Sequence, residues 1–254
     1  MKTFGLHHLL DSGNPAIGTV LAFHSVDLME AIAAIGFDFV MIDCQNAPLG
    51  ADSVLSLIRA AEAGGVAPLV RVATRAPEGI LRVVDSGAVG VVVPSVDSKS
   101  DAQAAVAAVR YPPEGIRAYA PMVRSAGFGI DLNVDKYIKD THKRTIVLPI
   151  VETRRGVLAA SEILSIDGVT GLAFGAADLS MDLGLRGNVN APEVSEARLL
   201  TLASCKAAGK PALAAAGNQD QARELINVGF SIILVPFTTW LIKTGREFLE
   251  DVKR

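Results

Sequence analysis

Residues 145–152 read TIVLPIVE and residues 171–178 read GLAFGAAD. Each is a short apolar run closed by a carboxylate, and residues 157–164 between them carry an amphipathic, helix-like pattern. Strands buried on both faces have this near-continuous apolar character, as in a parallel sheet covered by helices. The unit recurs outward in both directions. Apolar runs lie at 17–23, 37–42, 67–72, 89–93, 211–215 and 232–235, and amphipathic segments at 28–35, 53–63, 102–109, 194–208 and 221–228. Gly36, Gly64-Gly65, Gly209 and Gly229 stop helical segments, and Asp27, Asp52 and Asp220 mark starts. Eight strands, each followed by a helix, in 254 residues are the arithmetic of an α/β protein of the (β/α)8 TIM-barrel class, one domain over residues 1–254. The rival open doubly wound sheet normally shows a Gly-rich turn after its first strand. Here that turn reads Ala22-Phe23-His24-Ser25.

Half of the residues are hydrophobic and the net charge is only −3, so disorder is excluded and nucleic acid is not an expected partner. No stretch approaches the ~20 apolar residues of a membrane span, so no membrane partner is expected. The first fifteen residues lack the apolar run of a signal peptide. Two cysteines, Cys44 and Cys205, make no disulfide framework, and the expected location is the cytoplasm. One segment fits the repeat less well. Residues 111–142 form a long connection with a turn at Pro112-Pro113-Glu114-Gly115 and a helix expected over 134–141. A connection that long is more often functional than idle.

In a barrel the chemistry lies at the C-terminal strand ends. The polar residues there are His24 after strand one, Asp43-Cys44-Gln45-Asn46 after strand two, Arg71 in strand three, Ser95 after strand four, Glu152 after strand five and Asp178 after strand six. Adjacent parallel strands lie ~4.8 Å apart, so Glu152 and Asp178 can reach one point in the mouth. Carboxylates that close repel unless they share a proton or a cation. A hard divalent ion is the natural partner, Mg2+ or Mn2+ rather than zinc, because no His/Cys cluster accompanies the pair. Two ordinary solvated loop acids are the other reading. Arg71 stands in an otherwise apolar strand, and a buried guanidinium needs an anion, either a protein carboxylate or a substrate carboxylate held bidentately. The small residues Gly175, Ala176 and Ala177 let backbone N–H groups approach an anionic ligand.

Several strings resemble the HpcH/HpaI family of class II aldolases: Ile42-Asp43, Arg71, Arg110-Tyr111-Pro112-Pro113-Glu114-Gly115-Ile116-Arg117, Gly168-Val169, Glu152-Thr153-Arg154 and Gly175-Ala176-Ala177-Asp178-Leu179-Ser180. The resemblance runs from about Gly18 to Phe248. It implies a metal-dependent carbon–carbon lyase that cleaves or forms 4-hydroxy-2-oxoacids through a pyruvate-type enolate. By matching motifs, Glu152 and Asp178 hold Mg2+ or Mn2+, with Co2+ a further candidate. Arg71 contacts the oxo-acid, and the N–H groups of Ala177 and Asp178 hold its carboxylate. Arg124 matches an arginine of the long loop. The resemblance also implies a 2-oxoacid and an aldehyde as small-molecule partners. It implies a homo-oligomer, trimer or hexamer, with the apolar stretch 237–248 exchanged with or packed on a neighbouring subunit.

The chain departs from that family where the proton is handled. Family members carry Ile-Asp-x-Glu-His after strand two, and here Gln45 and Asn46 replace the Glu and His. Ile150 replaces a Gln found two residues before the metal-binding Glu. An amide has no useful pKa near neutrality, so Asn46 is not a proton acceptor. Three readings follow: an aldolase whose base has moved to His24; an enzyme in which metal-bound hydroxide or the substrate transfers the proton; or a non-catalytic, regulatory barrel that binds metal and oxo-acid. Asp43, Gln45 and Asn46 remain expected site residues in all three.

Overall fold

The computed structural model describes residues 4–253. Its elements are α1 (Gly5–Ser12), β1 (Ala16–Leu21), α2 (Val26–Ile35), β2 (Phe39–Asp43), α3 (Ala51–Gly64), β3 (Ala67–Arg71), α4 (Pro77–Asp85), β4 (Gly90–Val93) and α5 (Lys99–Val109). A 3-10 turn (Arg124–Gly129), α6 (Val134–Arg144), β5 (Ile146–Val151), α7 (Arg154–Leu158), α8 (Ala160–Leu164), β6 (Leu172–Phe174) and α9 (Ala176–Asp182) follow. α10 (Pro192–Ala207), β7 (Ala212–Ala215), α11 (Gln219–Val228), β8 (Ile232–Pro236) and α12 (Phe237–Val252) complete the chain. Each strand pairs in parallel with the next, and β8 closes on β1, giving an eight-stranded barrel.

The helix ends follow local chemistry. Ser25, Ser98, Thr153 and Asn218 each accept a first-turn N–H at a helix N-terminus, and Pro77 and Pro192 occupy first-turn positions where no N–H is needed. The segment 157–164, expected as one helix, is two short helices that meet at Ala159.

Alternation along the strands separates two apolar layers. Phe39, Met41, Leu69, Leu148, Ile150 and Leu234 fill the barrel interior. Val40, Ile42, Val70, Val91, Val147 and Ile233 face the helices. The same period of two carries Asp43, Arg71 and Glu152 onto the inward face at the C-terminal mouth. Phe4 and Leu6, at the start of α1, join the interior cluster, with α1 preceding β1 at the opposite end.

The long connection lies at that opposite end as well. It links α5 to β5, so it crosses the N-terminal face, where barrels keep stability rather than chemistry. This connection, whose length led to an expected functional role, does not reach the strand ends that line the cavity. Its residues lock the face instead. Arg117 is buried, pairs with Asp85 at 2.6 Å, and lies 4.6 Å from the centre of the Tyr111 ring. Arg110 pairs with Asp167 at 2.7 Å.

The Tyr111 N–H donates to His142 Nε2 at 2.8 Å, which requires a neutral imidazole. Burial holds His142 below the ordinary histidine pKa, helped by Arg110 and Arg117 and opposed by Glu114. The unfolded chain therefore takes up this proton first as pH falls. Stability is full above the ordinary histidine pKa and is lost as pH drops through it toward the lower folded value. His142→Gln keeps an acceptor but no titration. Its melting temperature is expected to fall less than the wild type's between pH 7.5 and 5.5, checked by thermal scans across that range.

Candidate active site

The mouth opens into a cavity of about 520 Å³ lined at strand ends by Met41, Arg71, Ile150, Glu152, Leu234 and the turn 175–178. Strand register places Asp43 directly opposite Arg71. The two form a bidentate pair: Arg71 Nε donates to Asp43 Oδ1 at 2.8 Å and Nη2 to Oδ2 at 2.6 Å. Asp43 Oδ1 also accepts the N–H groups of Gln45 (3.0 Å) and Asn46 (3.3 Å). Of the two anions open to Arg71, the protein carboxylate is the one observed. The guanidinium is held in one orientation while still lining the cavity.

Glu152 is only 3% exposed. Its Oε1 accepts from the Ser95 N–H at 2.6 Å and from Ser95 Oγ at 3.0 Å. Burial pushes its pKa up; the Ser95 hydrogen bonds oppose this, and the neighbouring Asp178 carboxylate adds to it. Gly175 brings the two acids together, because a Cβ there would lie 2.5 Å from Glu152 Cβ and 2.9 Å from Oε2. Only glycine permits this approach, and three residues later the first turn of α9 presents Asp178. No side chain caps that turn, so its first N–H groups remain available for a ligand.

This donor set fits a hard divalent cation. One of the two carboxylates is buried and held against its charge by the other; among the described residues neither forms a salt bridge, and Arg71 is committed to Asp43. Among the described residues no group of three or more His, Cys, Asp or Glu side chains makes a full cage. Mg2+-type ions are commonly held by one or two carboxylates, with water and substrate completing the shell.

Other expected site residues are not brought to the cavity. His24 is exposed, and its Nε2 bonds Ser56 Oγ on α3 at 2.7 Å rather than facing the mouth. Its position as a relocated base is corrected: β1 ends at Leu21, three residues before it, so the strand does not aim its side chain inward. His24→Ala is accordingly expected to keep turnover within about twofold of wild type in a steady-state assay, the size of a surface change remote from the chemistry. Arg124 is corrected too. It pairs with Glu62 and donates to the Ser86 carbonyl at 3.1 Å, at the N-terminal face. Gln45 and Asn46 follow β2 and hold Asp43 through their backbones, outside the cavity lining.

Sequence reasoning missed the roles of Ser95, which grips Glu152, and of Asn190, Arg198, Gln221 and Glu224, which line the outer part of the cavity. The last four sit in loops and helices past the strand ends, where no apolar run marks them.

The profile of the HpcH/HpaI aldolase/citrate lyase family matches residues 17–243. A 4-hydroxy-2-oxo-heptane-1,7-dioate aldolase of Salmonella dublin is 32% identical over 241 residues, covering 94% of this chain and 90% of its own. The crystal structure of an HpcH/HpaI aldolase/citrate lyase family protein from Burkholderia cenocepacia J2315 superposes with a TM-score of 0.93 at 33% identity, covering 99% of this chain and 100% of that one. A citrate lyase beta subunit from M. tuberculosis, complexed with oxaloacetate and magnesium, shares the fold at a TM-score of 0.58 and 19% identity, covering 88% of this chain and 92% of that one. Barrel, strand-end acids and the match along nearly the whole chain converge: this protein belongs to the HpcH/HpaI aldolase/citrate lyase family.

Proposed function

We propose that the chain, as one barrel domain over residues 1–254, is a metal-dependent aldolase that cleaves or forms 4-hydroxy-2-oxoacids, releasing or using pyruvate or a related 2-oxoacid and an aldehyde. The observation that carries this reading is the Glu152–Asp178 pair beside an Arg71 already neutralised by Asp43. Glu152 and Asp178 would hold Mg2+ or Mn2+, with Co2+ a third candidate. An ion held there would supply Lewis acidity to stabilise the charge that develops on the oxo-acid as the carbon–carbon bond breaks.

The chain's own groups do the rest. Arg71 presents its guanidinium to the oxo-acid with its orientation fixed in advance, so little reorganisation is needed as charge shifts. The first N–H groups of α9, at Ala177 and Asp178, receive the substrate carboxylate, and Gly175 and Ala176 keep that approach open. Ile150, Leu213 and Leu234 give the cavity apolar walls that displace water. Among the described residues no imidazole lines the cavity, whose carboxylates are Glu152, Asp178 and Glu224. Proton transfer through water or the substrate's own oxygens fits a site without an imidazole base.

The test is release of a 2-oxoacid from a panel of 4-hydroxy-2-oxoacids with Mg2+, Mn2+ or EDTA. Turnover that needs the ion is expected. A full panel without turnover, alongside tight oxalate binding, overturns the aldolase reading in favour of a non-catalytic, regulatory barrel.

The proposal extends to assembly and location. No side chain of α12 is fully buried, Trp240 alone of its large apolar residues packs against the core, and Leu241, Ile242, Phe248, Leu249 and Val252 are all exposed. Their spacing puts them along one helical stripe, and a contiguous exposed apolar stripe commonly marks an interaction surface. We take this helix to pack on, or exchange with, a neighbouring copy in a trimer or hexamer. Light scattering is expected to give a mass at least three times that of the chain, and a monomer overturns the assignment. Among the described residues no helix is long and apolar enough to cross a membrane. A cytoplasmic location fits the absence of a disulfide framework.

A further inference from the structure

We propose that Ser95 is a positioning residue of the cation site: it occupies Glu152 Oε1 with two donors and leaves Oε2 as the single oxygen that carboxylate offers an ion. This rests on the reading of Glu152 and Asp178 as cation ligands. Ser95 follows the mouth end of β4 after Pro94 and takes a left-handed backbone, φ 54°, which a non-glycine residue rarely adopts. That turn lets one residue aim its N–H, at 2.6 Å, and its hydroxyl, at 3.0 Å, at the same carboxylate oxygen. Glycine would adopt this backbone without strain but would lack the hydroxyl. Ser95 does not itself line the cavity, so its influence on the site passes through Glu152.

The other oxygen takes no donor from Ser95. Oε2 lies toward Gly175, where an added Cβ would sit 2.9 Å from it, on the side that carries Asp178. A carboxylate with both oxygens free rotates and chelates. One with a doubly capped oxygen gives a single, directed donor. Small octahedral ions such as Mg2+ and Mn2+ accept single oxygens from each carboxylate, whereas Ca2+ readily takes a carboxylate bidentately. Ser95 thus tunes both the affinity of the site and its preference for small ions.

The test uses full-length Ser95→Gly and Ser95→Ala beside wild type and Glu152→Gln, with no substrate present. Free Mn2+ is followed by electron paramagnetic resonance, and Ca2+ is measured by competition. Ser95→Gly keeps the N–H donor, and relief of the left-handed backbone offsets the lost hydroxyl bond, so its melting temperature in EDTA is expected to stay within a few degrees of the wild type's. Its Mn2+ dissociation constant is expected to rise about tenfold, the size of one lost hydrogen bond to a charged group. Its preference for Mn2+ over Ca2+ is expected to narrow. Ser95→Ala is expected to lose Mn2+ affinity equally. Four outcomes overturn the proposal: wild-type Mn2+ affinity in Ser95→Gly, weakening in Ser95→Ala alone, weaker Mn2+ binding with an unchanged Ca2+ preference, or Glu152→Gln binding like wild type. A wild type that takes up no Mn2+ overturns the cation-site reading itself, which separates that failure from the failure of Ser95.

Discussion

Glu152→Gln is expected to reduce turnover by roughly 10³-fold, the scale seen when one preorganised charge-stabilising group is removed, and to abolish Mn2+ uptake. It is also expected to raise the melting temperature of the metal-free protein. The two effects have one cause. Glu152 is buried beside Asp178, and burial together with that neighbour raises its pKa above the ordinary glutamate value. The folded protein therefore holds this proton more tightly than the unfolded chain does. The contribution to stability is intact below the unfolded pKa and is lost as pH rises through the raised folded value. Once Glu152 is ionised, the metal-free fold carries an unfavourable charge that glutamine removes and that a divalent ion neutralises. Thermal scans should show the wild type stabilised by Mn2+, most strongly at neutral and higher pH, and Glu152→Gln indifferent to it. A wild-type protein whose melting temperature ignores Mn2+ contradicts this account.

How much of this was legible in the sequence depends on which interactions are local. The apolar runs of the strands gave the barrel, and the carboxylate that closes each of two consecutive runs gave the Glu152–Asp178 pair. The meeting of Asp43 and Arg71 was not legible, because it depends on the register of β2 against β3. Arg71 still left two readings, because a sequence does not say which anion faces a guanidinium. His24 misled because the apolar character of Ala22 and Phe23 extends past Leu21, where pairing stops. Arg124 misled for a topological reason: a segment between a helix and the next strand crosses the N-terminal face, however closely its motif resembles a family signature. The Arg110–Arg117 string likewise carries part of the family resemblance, yet its side chains join Asp167, Asp85 and Tyr111 far from the mouth. Ser95 stood at a strand end, but its importance comes from a left-handed φ and a partner 57 residues away.

Arg71→Lys is expected to lower kcat by about 10²-fold or more while shifting KM less, because an ammonium offers no fixed fork of donors. Arg71 makes two parallel hydrogen bonds to Asp43, and its own side chain is 18% exposed against 4% for Asp43. Arg71→Ala removes the partner of a buried carboxylate whose remaining donors are two backbone N–H groups. That change is expected to destabilise the fold by about 3 kcal/mol, the lower end for breaking a buried ion pair. Loss of activity in this variant would be ambiguous, since it mixes a missing guanidinium with a weakened barrel. The double variant Asp43→Leu/Arg71→Met separates the two. Replacing both members of a buried pair by apolar side chains of similar volume is commonly neutral or stabilising. Its melting temperature is expected to return to within a few degrees of wild type while turnover stays at the Arg71→Ala level. Asp43→Asn completes the argument from the other side. Asp43 does not line the cavity, so this substitution reaches the substrate only by loosening Arg71. Its kcat is expected to fall with Mn2+ affinity unchanged. A double variant that recovers both stability and turnover would show that the guanidinium serves the barrel and not the reaction.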